Sequence, residues 1–141
     1  TYAALRSWLL PILLDFLSHN KHVEYPQKVF EAGTVAVKKN EKVEDYERIA
    51  LVSAHDKAGY TELRAIVDYL LSTLGCSCEI MDVDHDSFLP GRVGRVIVEG
   101  KKVGYVGEIH PSVIEGHGLE VPVVALELNL GELYLLTKKT T

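Results

Sequence analysis

Cysteine is scarce in this chain, limited to Cys76 and Cys78. If extended, the two would project from one face, a poor geometry for a disulfide. Free, buried thiols in a reducing cytoplasm are the plain reading. Long apolar runs are also missing. Leu9 to Leu17 is interrupted by Asp15 and is far shorter than a membrane span. Positive charge is never clustered: Lys38-Lys39, Lys101-Lys102 and Lys138-Lys139 are only pairs, and the net charge is −5. A dedicated nucleic-acid surface needs grouped Lys and Arg, so direct nucleic-acid binding is disfavoured. The opening Thr-Tyr-Ala-Ala lacks the basic-then-apolar order of a signal peptide. Without an initiator Met, the chain is expected to be a fragment or a processed piece. No glycine-rich loop leads from a strand into a helix, which excludes a Rossmann reading.

What is present suffices for one core. The chain has 141 residues, 47% of them hydrophobic, and reads as one domain over 1–136 with a polar tail over 137–141. Ser7 to Asn20 reads as a first helix with Ser7 as its N-cap. Leu9, Leu10, Leu13, Leu14, Phe16 and Leu17 cover well over half its circumference, so it is expected to be buried on two sides, the second against another subunit. Tyr25-Pro26 sets an extended entry into a strand over Lys28 to Ala32, with Val29 and Phe30 opposed. Thr34 to Val37 follows, then a charged solvent loop over Lys38 to Glu47. Arg48 to Ala54 is an apolar, central strand.

Tyr60 to Leu74 is the clearest helix, with Leu63, Ile66, Val67, Leu70, Leu71 and Leu74 at helical spacing and Gly75 as its stop. Cys76 to Val83 is expected as a strand. Arg92 to Val98 and Val103 to Ile109 form a hairpin through Glu99-Gly100-Lys101-Lys102. Gly94, Gly104 and Gly107 inside it mark bulges or close backbone approaches. A short helix over Pro111 to Glu115, a strand over Val123 to Leu130 and an apolar patch over Leu133 to Leu136 complete the chain. The sum is an α+β fold, a mainly antiparallel sheet flanked by helices.

Few residues point to chemistry. Asp82, Asp84 and Asp86 would share one face if extended. The segment reads as a solvated strand end, with a calcium or magnesium site as the alternative. His19 and His22 lack a third zinc ligand, and placement at a helix end is the simpler account. His55-Asp56 follows a strand without a visible nucleophile and reads as a turn; His85, His110 and His117 receive no role. No catalytic or metal residue is assigned.

The runs GRVGRVIVEGKKVGYVGEIHPSVIEGHGLEVPVVALELNL, LRSWLLP (Leu5 to Pro11) and HVEYPQKVFEAG (His22 to Gly33) carry a resemblance. In order and spacing they are similar to the catalytic-like, C-terminal domain in the β chain of phenylalanine–tRNA ligase, in its archaeal and eukaryotic form. The resemblance spans Thr1 to Leu133 and implies a class II synthetase-like core. It places the family's helix–proline–strand dimerisation element on Leu9, Leu10, Leu13, Leu14, Phe16, Leu17, Tyr25, Pro26, Val29 and Phe30. It implies a cytoplasmic domain that packs against a catalytic α chain, which binds ATP and phenylalanine. ATP and magnesium are expected in the full ligase and not in this domain; tRNA(Phe) is expected to be held by the full complex. An isolated domain is expected to form a homodimer. Gly91-Arg92-Val93-Gly94-Arg95 resembles part of a class II nucleotide site, but the arginine–acid pairing and the full glycine series of that site have no counterpart. Arg92 and Arg95 are therefore expected at an interface, with anion binding open. The rival reading is a stand-alone nucleotide or small-ligand domain built on the glycine-rich hairpin and these two arginines.

Overall fold

The computed structural model describes residues 8–138. They form α1 (Leu10–His19), β1 (Gln27–Lys39), β2 (Lys42–Ala54), α2 (Tyr60–Thr73), β3 (Glu79–Asp82), β4 (Phe88–Val98), β5 (Lys101–Ile109), α3 (Pro111–Gly116), β6 (Val123–Asn129) and α4 (Leu130–Lys138). The six strands make one sheet in the order β1-β2-β6-β5-β4-β3, with antiparallel neighbours throughout. The α+β expectation therefore holds. β6 arrives last in the chain yet lies between β2 and β5, closing the sheet around its most buried strand.

Strand alternation sorts the side chains into two layers. One face, under α1 and α3, collects Leu9, Leu10, Leu13, Leu14, Leu17, Ala50, Val52, Val93, Ile109 and Val123. The other, under α2 and α4, collects Leu63, Val67, Leu71, Val96, Val106, Val124, Leu126, Leu128, Leu133 and Leu136.

Two hairpins are set by local turn chemistry. Asn40 and Glu41, at φ 50° and 65°, join the Lys39–Lys42 pair; Glu99 and Gly100, at φ 51° and 77°, join the Val98–Lys101 pair. Positive φ at both central residues is the turn that matches strand twist. The expected solvent loop over Lys38 to Glu47 is thus the tip of a hairpin, and Lys101 and Lys102 belong to a strand. At the first tip, Lys42 to Asp45 are all exposed. With no buried face there, polar residues hide the alternation, and backbone pairing holds the strands. The bulges expected in β4 and β5 are present as register shifts at Phe88/Val93 and Val96/Ile97. A Cβ on Gly104 would enter the Glu127 carbonyl oxygen, and one on Gly107 would lie 2.7 Å from that of Arg92.

Three other boundaries move. α1 begins at Leu10 with Leu9 as N-cap, later than the expected start; Ser7 lies outside the described residues. β3 spans only Glu79–Asp82, so Cys76 and Cys78 precede the strand. The apolar patch over Leu133 to Leu136 is part of α4, whose first turn is tied by the Glu132 N–H donating to Asn129 Oδ1 at 2.9 Å. The Asn-x-x-Glu spacing of 129–132 was the available signal. The Tyr25–Pro26 peptide is cis.

Candidate functional site

The polar centre of the α1 face lies on one row that crosses every strand: Glu31, Ala50, Glu127, Tyr105, Arg95 and Met81 are successive cross-strand partners. Glu127 sits in the middle of this row, 1% exposed. β6 is otherwise nearly apolar, so burying an acid there demands partners. They come from α1: both carboxylate oxygens lie 2.8 Å from the Leu9 N–H, and Oε1 accepts from the Leu10 N–H at 2.9 Å. Arg48, diagonal to Glu127 on β2, donates to Oε2 at 3.3 Å. Burial pushes the Glu127 carboxyl above the usual range, opposed by the Leu9 and Leu10 hydrogen bonds and by Arg48. With these commitments the group anchors a helix start and is poorly placed to act as a free base.

Beside it, the Arg95 guanidinium lies 4.6 Å from the centre of the Tyr105 ring. His85 packs against Tyr105 at 4.9 Å, Trp8 at 5.0 Å and Phe88 at 5.1 Å. Burial lowers the His85 pKa, and Arg95 adds to the shift while Asp86 opposes it. The face is packed with rings where a polar ligand would need donors.

Arg92 leaves this face. It donates to Glu108 Oε2 at 3.2 Å, and the same oxygen accepts the Tyr60 N–H that opens α2 at 3.1 Å. Val93 belongs to the α1-side core, so its neighbour Arg92 points to the α2 side, three residues from Arg95. On a strand that spacing separates the two guanidinium groups by the thickness of the sheet. The structure therefore does not bring Arg92 and Arg95 to one anion, and the paired use of them in the rival reading fails on strand geometry.

A second polar cluster had no sequence expectation. Glu62, in the first turn of α2, accepts from His55 Nε2 at 2.8 Å and from Ser53 Oγ at 3.1 Å, and pairs with Lys28 at 3.3 Å. Desolvation is the largest influence on Glu62 and pushes its pKa up, but these partners outweigh it and the net shift is downward. His55 Nδ1 accepts the Lys57 N–H at 3.3 Å, so the turn expected at His55-Asp56 is present and is pinned to α2.

The remaining candidates are dispersed. Asp82 ends β3; Asp84 and Asp86 lie beyond it, so the extended geometry that would align all three is broken. Among the described residues no group of three or more His, Cys, Asp or Glu side chains could hold a metal ion. His19 Nδ1 pairs with the Asp15 carbonyl at 2.8 Å, a helix-end role, and His22 is exposed. His110 caps α3 by accepting from the Ser112 N–H at 3.0 Å. His117 Nδ1 donates to the Val113 carbonyl at 3.0 Å. Cys76 and Cys78 are free.

Of the residues expected at a subunit interface, Leu9, Leu10, Leu13, Leu14 and Leu17 are at most 4% exposed within this single chain. The helix is greasy because one broad face fills its own core, leaving Ile12 and Phe16 outward. Tyr25 and Val29 are half-buried and Pro26 is exposed. Phe30 stands out, 68% exposed on the edge strand.

Residues 1–130 match the family described as the phenylalanyl tRNA synthetase beta chain CLM domain. The chain belongs to that family and is a domain of the β-subunit type. It is 45% identical over 136 residues to the phenylalanine–tRNA ligase β subunit of Thermococcus onnurineus. It is 47% identical over the same length to that of Thermococcus gammatolerans, and 44% identical over 132 residues to that of Thermofilum pendens. These alignments cover 92–94% of this chain and 24% of each relative; the chain spans about a quarter of their length. Among the described residues no helix is long and apolar enough to cross a membrane.

Proposed function

We propose that this domain is a class II synthetase-like, catalytic-like module of a phenylalanine–tRNA ligase β chain. In this reading it packs against the catalytic α chain and supports ATP-dependent aminoacylation of tRNA(Phe), without supplying catalytic groups. Nucleotide, magnesium and tRNA are handled by the full, cytoplasmic complex. The observation that carries the reading is the β1 edge. It is 13 residues long, unpaired on its outer side among the described residues, and displays Phe30 at 68% exposure. A long open edge with an aromatic on it is a liability for a monomer and an asset for a subunit. Phe16 and Ile12, exposed on the outer side of α1, form a second apolar patch, on the opposite face of the sheet from Phe30. What supports the inactive role is the polar centre: Glu127 is spent on α1, and Arg92 and Arg95 diverge.

The test is co-purification of the full-length β chain with its α chain, carrying Phe30→Asp alone or with Phe16→Asp. Assembly should weaken by about tenfold or more, with the isolated domain still folded. Unchanged assembly and unchanged aminoacylation for the double variant would remove both patches from the interface.

A further inference from the structure

A groove separate from both patches opens between the end of β5, α3 and the loop into β6. Its volume is about 420 Å³, within the range of ligand-sized sites. Ile109 and Leu119, each 3% exposed, form its floor and Ile114 of α3 one wall. Three carboxylates, Glu108, Glu115 and Glu120, line it; no Lys, Arg or His does. Glu108 is shared with Arg92 and the Tyr60 N–H. Glu115 and Glu120 are exposed and unpaired among the described residues. They come from different elements, the last turn of α3 and the loop after it, so the charge frames the groove instead of following one helix.

We propose that this groove docks a polypeptide segment carrying Arg or Lys beside a bulky apolar residue. The apolar side chain fills the floor between Ile109 and Leu119, and the cation sits between Glu115 and Glu120. Charge complementarity selects this occupant: a nucleic acid or other polyanion is repelled by the same carboxylates, and a neutral apolar segment leaves them without partners. None of the groove's lining residues belongs to α1 or β1, so the failure of either interface leaves the other standing.

The experiment titrates the 141-residue chain against a short fluorescein-labelled peptide alternating arginine and leucine, followed by fluorescence anisotropy. Two control peptides carry glutamate in place of arginine, or serine in place of leucine. Saturation in the micromolar range is expected, with each control weaker by about tenfold or more. Glu115→Lys with Glu120→Lys should weaken binding by about the same factor. Glu44→Lys with Asp45→Lys, at the exposed β1–β2 tip, makes the same change in net charge and should shift binding less than about twofold. Equal weakening by the two double variants would reduce the effect to overall charge and overturn the proposal. So would serine-peptide binding as tight as the leucine peptide's, or no anisotropy change up to millimolar protein.

Discussion

Glu127 of β6 and Leu9, at the start of α1, are 118 residues apart in sequence, yet the Leu9 N–H lies 2.8 Å from each oxygen of the Glu127 carboxylate. α1 has no side-chain cap of its own, because its N-cap is a leucine. The sheet supplies what the helix lacks. The same device recurs on the opposite face, where Glu108 of β5 receives the Tyr60 N–H at the start of α2, whose N-cap is Gly59. Helix starts expose unsatisfied N–H groups with positive partial charge, and carboxylates from neighbouring central strands answer both, Glu127 fully buried and Glu108 partly so.

Glu127→Ala should destabilise the domain by about 3 kcal/mol, since it strands two helix N–H groups and the partly buried Arg48. Glu127→Gln keeps one oxygen acceptor and should cost less. Urea denaturation reads both. A loss below about 0.5 kcal/mol for Glu127→Ala would show that the helix start finds water instead.

Gly104→Ala places a methyl group against the backbone of Glu127 and Leu128. Opening the β5–β6 pairing should cost roughly 2 kcal/mol or more. Gly59→Ala, with open space around it and an extended φ, should stay within about 0.5 kcal/mol of the parent. Similar thermal midpoints for the two variants would contradict the close approach of these strands.

Leu13→Ala should cost about 2–5 kcal/mol, as Leu13 is 3% exposed in the core. Phe16→Ala, on the other side of the same helix and 48% exposed, should leave stability nearly unchanged. Phe30→Lys should lower self-association of the isolated chain, seen by sedimentation velocity across a concentration series. A parent chain that is monomeric throughout would count against a homodimer built on the β1 edge.

Glu62 and Glu127 should respond to acid in opposite senses. The folded-state pKa of Glu62 is lowered, so its stabilisation is present above the unfolded value of about 4.3 and is lost as pH falls through the folded value. Glu127 is raised; its native state takes up a proton first, so its contribution improves as pH falls from its folded value toward about 4.3. Glu62→Gln should therefore flatten the acid-side loss of stability, and Glu127→Gln should steepen the net decline. Denaturation midpoints from pH 3 to 7 that move in parallel for both variants would refute the assignment.

Much of the architecture was legible in the residues themselves. The α2 helix reads from six apolar positions and its glycine stop, and the second hairpin from β-branched runs around Gly100. Their contacts are local, or repeat at a period that a strand or helix must show. The first hairpin's tip was hidden because it has no buried face, and α4 because nine residues directly after β6 are too few for helical spacing to declare itself. α1 misled in a more instructive way. Its leucines announced burial correctly, but a hydrophobic pattern states only that a face is covered, not by which chain.

Sequence alone therefore determined most of the sheet-forming segments, the positive-φ turn at Gly100, and the family to which the chain belongs, since all three are written in neighbouring residues. Tertiary structure decided the rest. The strand register put Glu127 beneath α1 and Glu108 beneath α2, and alternation across β4 sent Arg92 and Arg95 to opposite faces. The insertion of β6 between β2 and β5 turned a lone acid in an apolar strand into the anchor of a distant helix. These are pairings between residues far apart in the chain, and a buried charge has meaning only once its partners arrive.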